Sequence, residues 1–133
     1  MNKLCALCSK LMFHNVKVLH IDDNQDITNL VSELVKSLDF DYVVTNDPRD
    51  GLELIKNEMY DVVLLDMDMP ELSGMDIIQI LESEKILKDQ KIVILSGFPF
   101  SFNQQEDLLK KDGIHSCLKK PIDFQRLLAE ITG

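Results

Sequence analysis

Four apolar runs, each ending on a residue with chemistry to offer, limit what this chain can become. Val16 to Ile21 runs into Asp22-Asp23, and Val62-Val63-Leu64-Leu65 runs into Asp66. Lys91 to Leu95 ends at Ser96, and Ile114 to Leu118 leads to Lys119-Lys120-Pro121. Continuous β-branched runs of this kind suit strands buried on both faces, the situation of a parallel sheet covered by helices. As neighbouring parallel strands, the runs bring their carboxyl ends to one edge. That edge then carries three carboxylates, a hydroxyl and an ammonium, a set suited to one divalent cation and one phosphoryl group.

The segments between the runs read as helices. Ile27, Leu30, Val31, Leu34, Val35 and Leu38 follow the i, i+3, i+4, i+7 spacing. Tyr42-Val43-Val44 forms a short strand within Asp41 to Thr45. Asp47-Pro48 then opens a helix as N-cap and first residue, with Leu52, Ile55 and Met59 as its inner face. After Asp61 to Asp66 and a turn at Pro70, Ser73 and Asp76 have capping-box spacing ahead of Ile77, Ile78, Ile80 and Leu81. An aromatic-rich loop from Gly97 to Phe102 precedes a weaker helix from about Asn103 to Asp112, which Gly113 ends. Asp123 caps a last helix through Phe124, Leu127, Leu128 and Ile131. The pattern is (βα) five times, an α/β fold in one domain. In such open sheets ligands bind at the carboxyl ends of the strands.

Charge and length narrow the partners. The formal net charge is −9 over 133 residues, which disfavours nucleic acid and anionic membrane surfaces, since phosphate backbones are held by clustered Lys and Arg. No apolar stretch approaches the roughly 20 residues of a membrane span. Cys5, Cys8 and Cys117 are an odd set without a secretion signal, so reduced thiols in a cytoplasm are expected.

Asp22, Asp23 and Asp66 repel one another unless a cation or protons intervene. Hard oxygen ligands favour Mg²⁺, and a carboxylate can serve as the nucleophile of phosphoryl transfer. Lys120 would add a compact positive charge, and Ser96 a hydrogen bond to a phosphoryl oxygen. Taken singly, each residue reads more simply. A strand-end Asp caps turns, Asp23 or Asn24 caps the following helix, and a lone Lys is a solvated surface group. The signal is the whole set in order.

Ile21-Asp22-Asp23, Leu65-Asp66-Met67-Asp68-Met69-Pro70, Gly74, Leu95-Ser96-Gly97 and Lys120-Pro121 together resemble the response-regulator receiver domain of two-component signalling, from about Val16 to the C-terminus. The resemblance implies a doubly wound (βα)5 flavodoxin-like fold with a five-stranded parallel sheet in order 2-1-3-4-5. It implies that Asp66 accepts a phosphoryl group from a histidine kinase or phosphotransfer protein. Asp23, Asp66 and the backbone carbonyl of Asp68 would bind Mg²⁺ directly, and Asp22 through a water. Ser96 and Lys120 would contact the phosphoryl oxygens, and the Lys120–Pro121 bond is often cis in the family. A domain of this type is a signalling phosphoacceptor, not a general enzyme. With the last helix closing the sequence, output is expected through an unknown downstream protein or a homodimer, by the face of the fourth helix, last strand and last helix.

Two features depart from the family pattern. Cys117 stands three before the motif lysine, where an aromatic switch residue is usual. The segment from Ser96 to Lys120 also runs about two residues longer than usual, with the excess near Gly97 to Gln105, in a loop that holds Phe98, Pro99, Phe100 and Phe102. These rings either pack on the sheet edge or act as a moving or partner-binding element. Asp68 is expected to face the opening where water reaches an acyl phosphate. Residues 1–15 lie outside the likeness; Cys5-x-x-Cys8 with His14 has half the spacing of a zinc site. The simpler expectation is an extension whose Leu4, Leu7, Leu11 and Met12 pack on the domain or a second copy. Two other functions fit parts of the pattern. Asp66-Met67-Asp68 matches the DxD of haloacid-dehalogenase-like phosphatases, with Asp66 as nucleophile and Asp68 as acid/base. A phosphorylation-independent pseudo-receiver would keep the fold and bind partners alone.

Overall fold

The computed structural model describes residues 16–97 and 100–133. The strands are β1 (Val16–Ile21), β2 (Phe40–Thr45), β3 (Val62–Asp66), β4 (Ile92–Ser96) and β5 (Ile114–Lys119). The helices are α1 (Gln25–Val35), α2 (Pro48–Asn57), α3 (Gly74–Ser83), α4 (Phe102–Leu109) and α5 (Phe124–Thr132). All strand pairings are parallel, in the order β2-β1-β3-β4-β5. This is the expected doubly wound, flavodoxin-like α/β arrangement. Among the described residues, no helix is long and apolar enough to cross a membrane.

Strand alternation divides the interior into two apolar layers. On one face Leu19, Ile21, Val63, Leu65, Ile92 and Ile94 pack with Leu52 and Ile55 of α2, Ile77, Ile78 and Leu81 of α3, and Leu108 of α4. On the other, Val16, Val18, Val62, Leu64, Val93 and Leu95 pack with Val31 and Val35 of α1 and Leu127 and Ile131 of α5. Both layers are closed by helices, which explains why the central strands β3 and β4, buried at every residue, read as apolar runs up to Asp66 and Ser96.

Side-chain caps fix where the helices start. Asn24 accepts from the Asp26 and Ile27 amides, Asp47 from Arg49, and Asp123 from Gln125 and Arg126. Ser73 and Asp76 form the expected reciprocal box. A second box, Ser101 with Gln104, starts α4 at Phe102.

Several expectations fail in and around the helices. Met59 lies beyond α2 and is 83% exposed, so it is no part of the inner face. Leu30 is 60% exposed although its spacing is helical. In the same helix Thr28 is buried. Helix α4 stops at Leu109, and Gly113 instead serves the entry to β5. Its φ is +101°, and a Cβ there would lie 1.9 Å from the Leu87 carbonyl oxygen, so only glycine fits. The aromatic loop divides as well. Phe100 packs against the first apolar layer, whereas Phe102 is 77% exposed. Phe98, Pro99, and the Cys5, Cys8 and His14 of the N-terminal extension lie outside the described residues.

Candidate functional site

Chain order places β1 between β2 and β3, so the connections leaving β1, to α1, and leaving β3, to α3, diverge to opposite sides of the sheet. A crevice opens at the carboxyl end of such a switch point. Register sets its walls: Ile21 pairs with Leu65, so Asp22 and Asp66 follow side by side. Asp66 pairs with Leu95, and Ser96 with Lys119, which carries the level across to Lys120. Backbone bonds continue past the strands, with the Asp22 amide donating to Thr45 O (3.2 Å), Met67 to Leu95 O (3.0 Å) and Lys120 to Ser96 O (2.7 Å). The Lys120–Pro121 bond is cis. Gly74 lets the start of α3 press on the end of β3; a Cβ there would lie 2.6 Å from the Asp66 carbonyl oxygen.

The expected residues meet. One carboxylate oxygen from each of Asp22, Asp23 and Asp66 lies within 4.8 Å of the others. Asp22, Asp66 and Ser96 are buried, and Asp23 is exposed at the mouth. The Lys120 ammonium bridges the inner pair, 3.2 Å from Asp22 Oδ2 and 3.0 Å from Asp66 Oδ1. Asp66 Oδ1 also accepts from the Asp68 amide at 3.1 Å, and Asp22 Oδ1 from the Asn24 amide at 2.9 Å.

Electrostatics follow from crowding like charges in a dry crevice. Burial pushes the Asp22 carboxyl above its usual range, and the Asp66 charge adds to this against the Asn24 and Lys120 contacts. Asp23 is also raised, by burial first and then by Asp66. Burial alone would depress Lys120, but its hydrogen bonds and the charges of Asp66 and Asp22 hold it above its ordinary value. A carboxylate trio with three hard oxygens at one mouth is a donor set that fits Mg²⁺. Burial and mutual repulsion both favour a cation arriving there.

Asp68 makes a contact that the sequence did not indicate. Its Oδ2 accepts from the Gly97 amide at 2.8 Å, so its carboxylate ties the β3–α3 loop to the β4–α4 loop. Cys117, half-buried and opposite Ile94, has its thiol pushed up by burial.

A polar layer behind Asp22 was not anticipated. His20 is fully buried, and its Nδ1 lies 2.6 Å from the Tyr42 hydroxyl. Its Nε2 faces Asp22 Oδ2 at 3.8 Å. Asn46 donates to Asp22 O at 2.8 Å and to Thr28 Oγ1 at 3.1 Å. A histidine inside an apolar run, two residues before an acid, was the available sign; Tyr42, Thr28 and Asn46 gave none.

The sequence model of the response regulator receiver domain matches residues 18–132. The chain is 22% identical to the polar-differentiation response regulator DivK of Brucella ovis, over 86% of this chain and 91% of that protein. A solved Francisella structure, the response regulator 1452 receiver domain, superposes with a TM-score of 0.77 at 30% identity, covering 88% of this chain and 93% of that one. The response regulator protein TrrA of Thermotoga maritima, solved in complex with Mg²⁺-BeF, gives 0.70 at 23% identity, covering 86% and 95%.

Proposed function

This chain belongs to the response regulator receiver family, and from that premise we propose that it is a phosphoacceptor of two-component signalling, modified on Asp66. One observation carries the reading: Asp66 lies within 4.8 Å of two further carboxylates and 3.0 Å from a lysine ammonium, at the switch-point crevice. A carboxylate oxygen of Asp66 attacks the phosphorus of a phosphohistidine donor. The new P–O bond forms as the P–N bond breaks, and the leaving imidazole takes up a proton. Lys120 turns from the carboxylates to a phosphoryl oxygen, and the Ser96 hydroxyl donates to another. Asp23, Asp66 and the Asp68 carbonyl would hold Mg²⁺, with Asp22 acting through a water; when bound, the ion neutralises charge on the transferring group. The complex of TrrA with Mg²⁺-BeF supports this assignment.

The proposal extends to context. Residues 16–133 form the receiver unit and 1–15 an extension to it. The protein works in the cytoplasm, receives its phosphoryl group from a histidine kinase or phosphotransfer protein, and signals by protein contact. Phe102 and Leu109, exposed on α4, support the α4–β5–α5 side as the output surface. Intact-mass measurement after acetyl phosphate treatment tests the core of it. One phosphoryl addition that needs Mg²⁺ and is lost in Asp66→Asn is expected; steady turnover of a phosphomonoester would instead indicate a phosphatase.

A further inference from the structure

His20 occupies a position where strand alternation calls for an apolar side chain. Val16, Val18, His20 and Asp22 succeed one another on the same side of β1, and the first two pack in the α1–α5 layer. The imidazole is sealed from solvent, yet among the described residues its Nε2 has no hydrogen-bond partner. A buried ring nitrogen left without a partner is costly, and this one is aimed at Asp22 Oδ2, 3.8 Å away.

The tautomer follows from the neighbours. The Tyr42 hydroxyl, 2.6 Å from His20 Nδ1, can donate to that nitrogen, or accept from it while donating to Thr28 O at 3.4 Å. Asp22 decides between the two. With the ring proton on Nδ1, Nε2 would point a lone pair at a carboxylate oxygen; with the proton on Nε2, an N–H faces an acceptor. The ring proton therefore sits on Nε2, and Nδ1 accepts from Tyr42.

Asp22 Oδ2 is held by Lys120 at 3.2 Å. If Lys120 leaves for a phosphoryl oxygen, a buried carboxylate oxygen loses its donor, a change unfavourable enough to demand a replacement. We propose that His20 is a positioning residue: its Nε2–H takes over Asp22 Oδ2 when Lys120 departs, and Tyr42 locks the ring for that exchange. The exchange requires the Asp22 carboxylate to rotate toward the ring and close the 3.8 Å gap. The proposal rests on the phosphoacceptor reading for its purpose, but the exchange itself can be seen without any phosphoryl group.

Long-range ¹H–¹⁵N spectra of the imidazole in the full chain, at mildly alkaline pH, test it. The expected spectrum shows the Nε2–H tautomer in the metal-free parent. In Lys120→Met the Nε2–H proton should move downfield with no ligand added, because the competing donor is gone. The same shift should follow Mg²⁺ with beryllium fluoride in the parent. An Nδ1–H tautomer, or an Nε2–H resonance that does not move in Lys120→Met, overturns the proposal. His20→Gln, which returns an N–H donor at similar reach, should retain more Mg²⁺ affinity than His20→Leu, for which a loss of at least about tenfold is expected. Equal affinities in two folded variants also overturn it. A parent that binds neither Mg²⁺ nor beryllium fluoride would count against the phosphoacceptor reading, leaving the tautomer and Lys120→Met spectra to decide the role of His20.

Discussion

On the side covered by α2, α3 and α4, β1 and β3 present Leu19, Ile21, Val63 and Leu65, all fully buried among apolar neighbours. On the side covered by α1 and α5, the same strands start with Val16, Val18, Val62 and Leu64 and end with His20, Asp22 and Asp66. Strict alternation makes this division possible, because adjacent residues of one strand never share a face. One side can stay apolar along its whole length. The other grades from oil to charge within two or three residues and delivers the carboxylates to the strand ends. The two sides should therefore respond differently to substitution, the first in stability and the second in chemistry.

The largest effect expected is at Asp66. Asp66→Asn should abolish the Mg²⁺-dependent phosphoryl addition seen by intact mass, while circular dichroism stays that of a folded α/β protein. Across the sheet, Ile78→Ala removes buried apolar volume from the first layer and should cost roughly 2–5 kcal/mol in urea unfolding. It should still accept one phosphoryl group where folded. A folded Ile78→Ala that takes up none would break the division between the two sides.

A pH experiment sharpens the same contrast. Burial, helped by the Lys120 charge and opposed by Asp66, lowers the His20 pKa from 6.5 to about 4. The folded value is the lower one, so between these limits the unfolded chain holds the extra proton. Stability contributed by the neutral buried ring is present above pH 6.5 and is lost as pH falls toward 4, by up to roughly 3 kcal/mol. Asp22, raised by burial, works in the opposite direction, but it is present in parent and variant alike. His20→Leu should thus gain on the parent by up to roughly 3 kcal/mol as unfolding is followed from neutral to acid pH. The deficit of Ile78→Ala should stay constant over the same range. A parallel pH dependence of parent and His20→Leu would show that the ring titrates as if exposed.

The sequence carried the apolar framework because both sides of a covered parallel sheet impose the same demand on every strand residue. Val16–Ile21 was therefore read to the residue, and the strand ends gave Asp22, Asp66, Ser96 and Lys120 in order. What escaped depends on tertiary surroundings. Leu30 and Met59 have helical spacing, but spacing does not say where a helix stops or how wide its covered stripe is. Thr28 is buried because Asn46 reaches it from after β2, a meeting no local pattern encodes. His20 looked like an interruption in an apolar strand until Tyr42 and Asp22 were seen on either side of it. Asp68 was placed at the site, but its bond to Gly97 joins two loops distant in sequence.

That bond gives the smallest predicted effect, at the mouth where the two sides of the sheet meet. The Asp68 carboxylate holds the Gly97 amide at 2.8 Å, drawing the β4–α4 loop toward the β3–α3 loop beside Asp66. One carboxylate oxygen is thus engaged across the opening. Asp68→Ala releases Gly97 and widens the approach of water to an acyl phosphate, so the adduct should hydrolyse faster. A single hydrogen bond to a charged acceptor is worth about 1.5–3 kcal/mol at most, and only part of it acts on access, so a change of roughly threefold in lifetime is expected. Mg²⁺ affinity should change less, because residue 68 would reach the ion through its backbone carbonyl, which alanine keeps. Asp68→Asn separates charge from tether: its amide oxygen can still accept from Gly97, so it should fall between the parent and Asp68→Ala. If Asp68→Asn and Asp68→Ala shorten the lifetime equally, the carboxylate's charge controls hydrolysis and the tether does not.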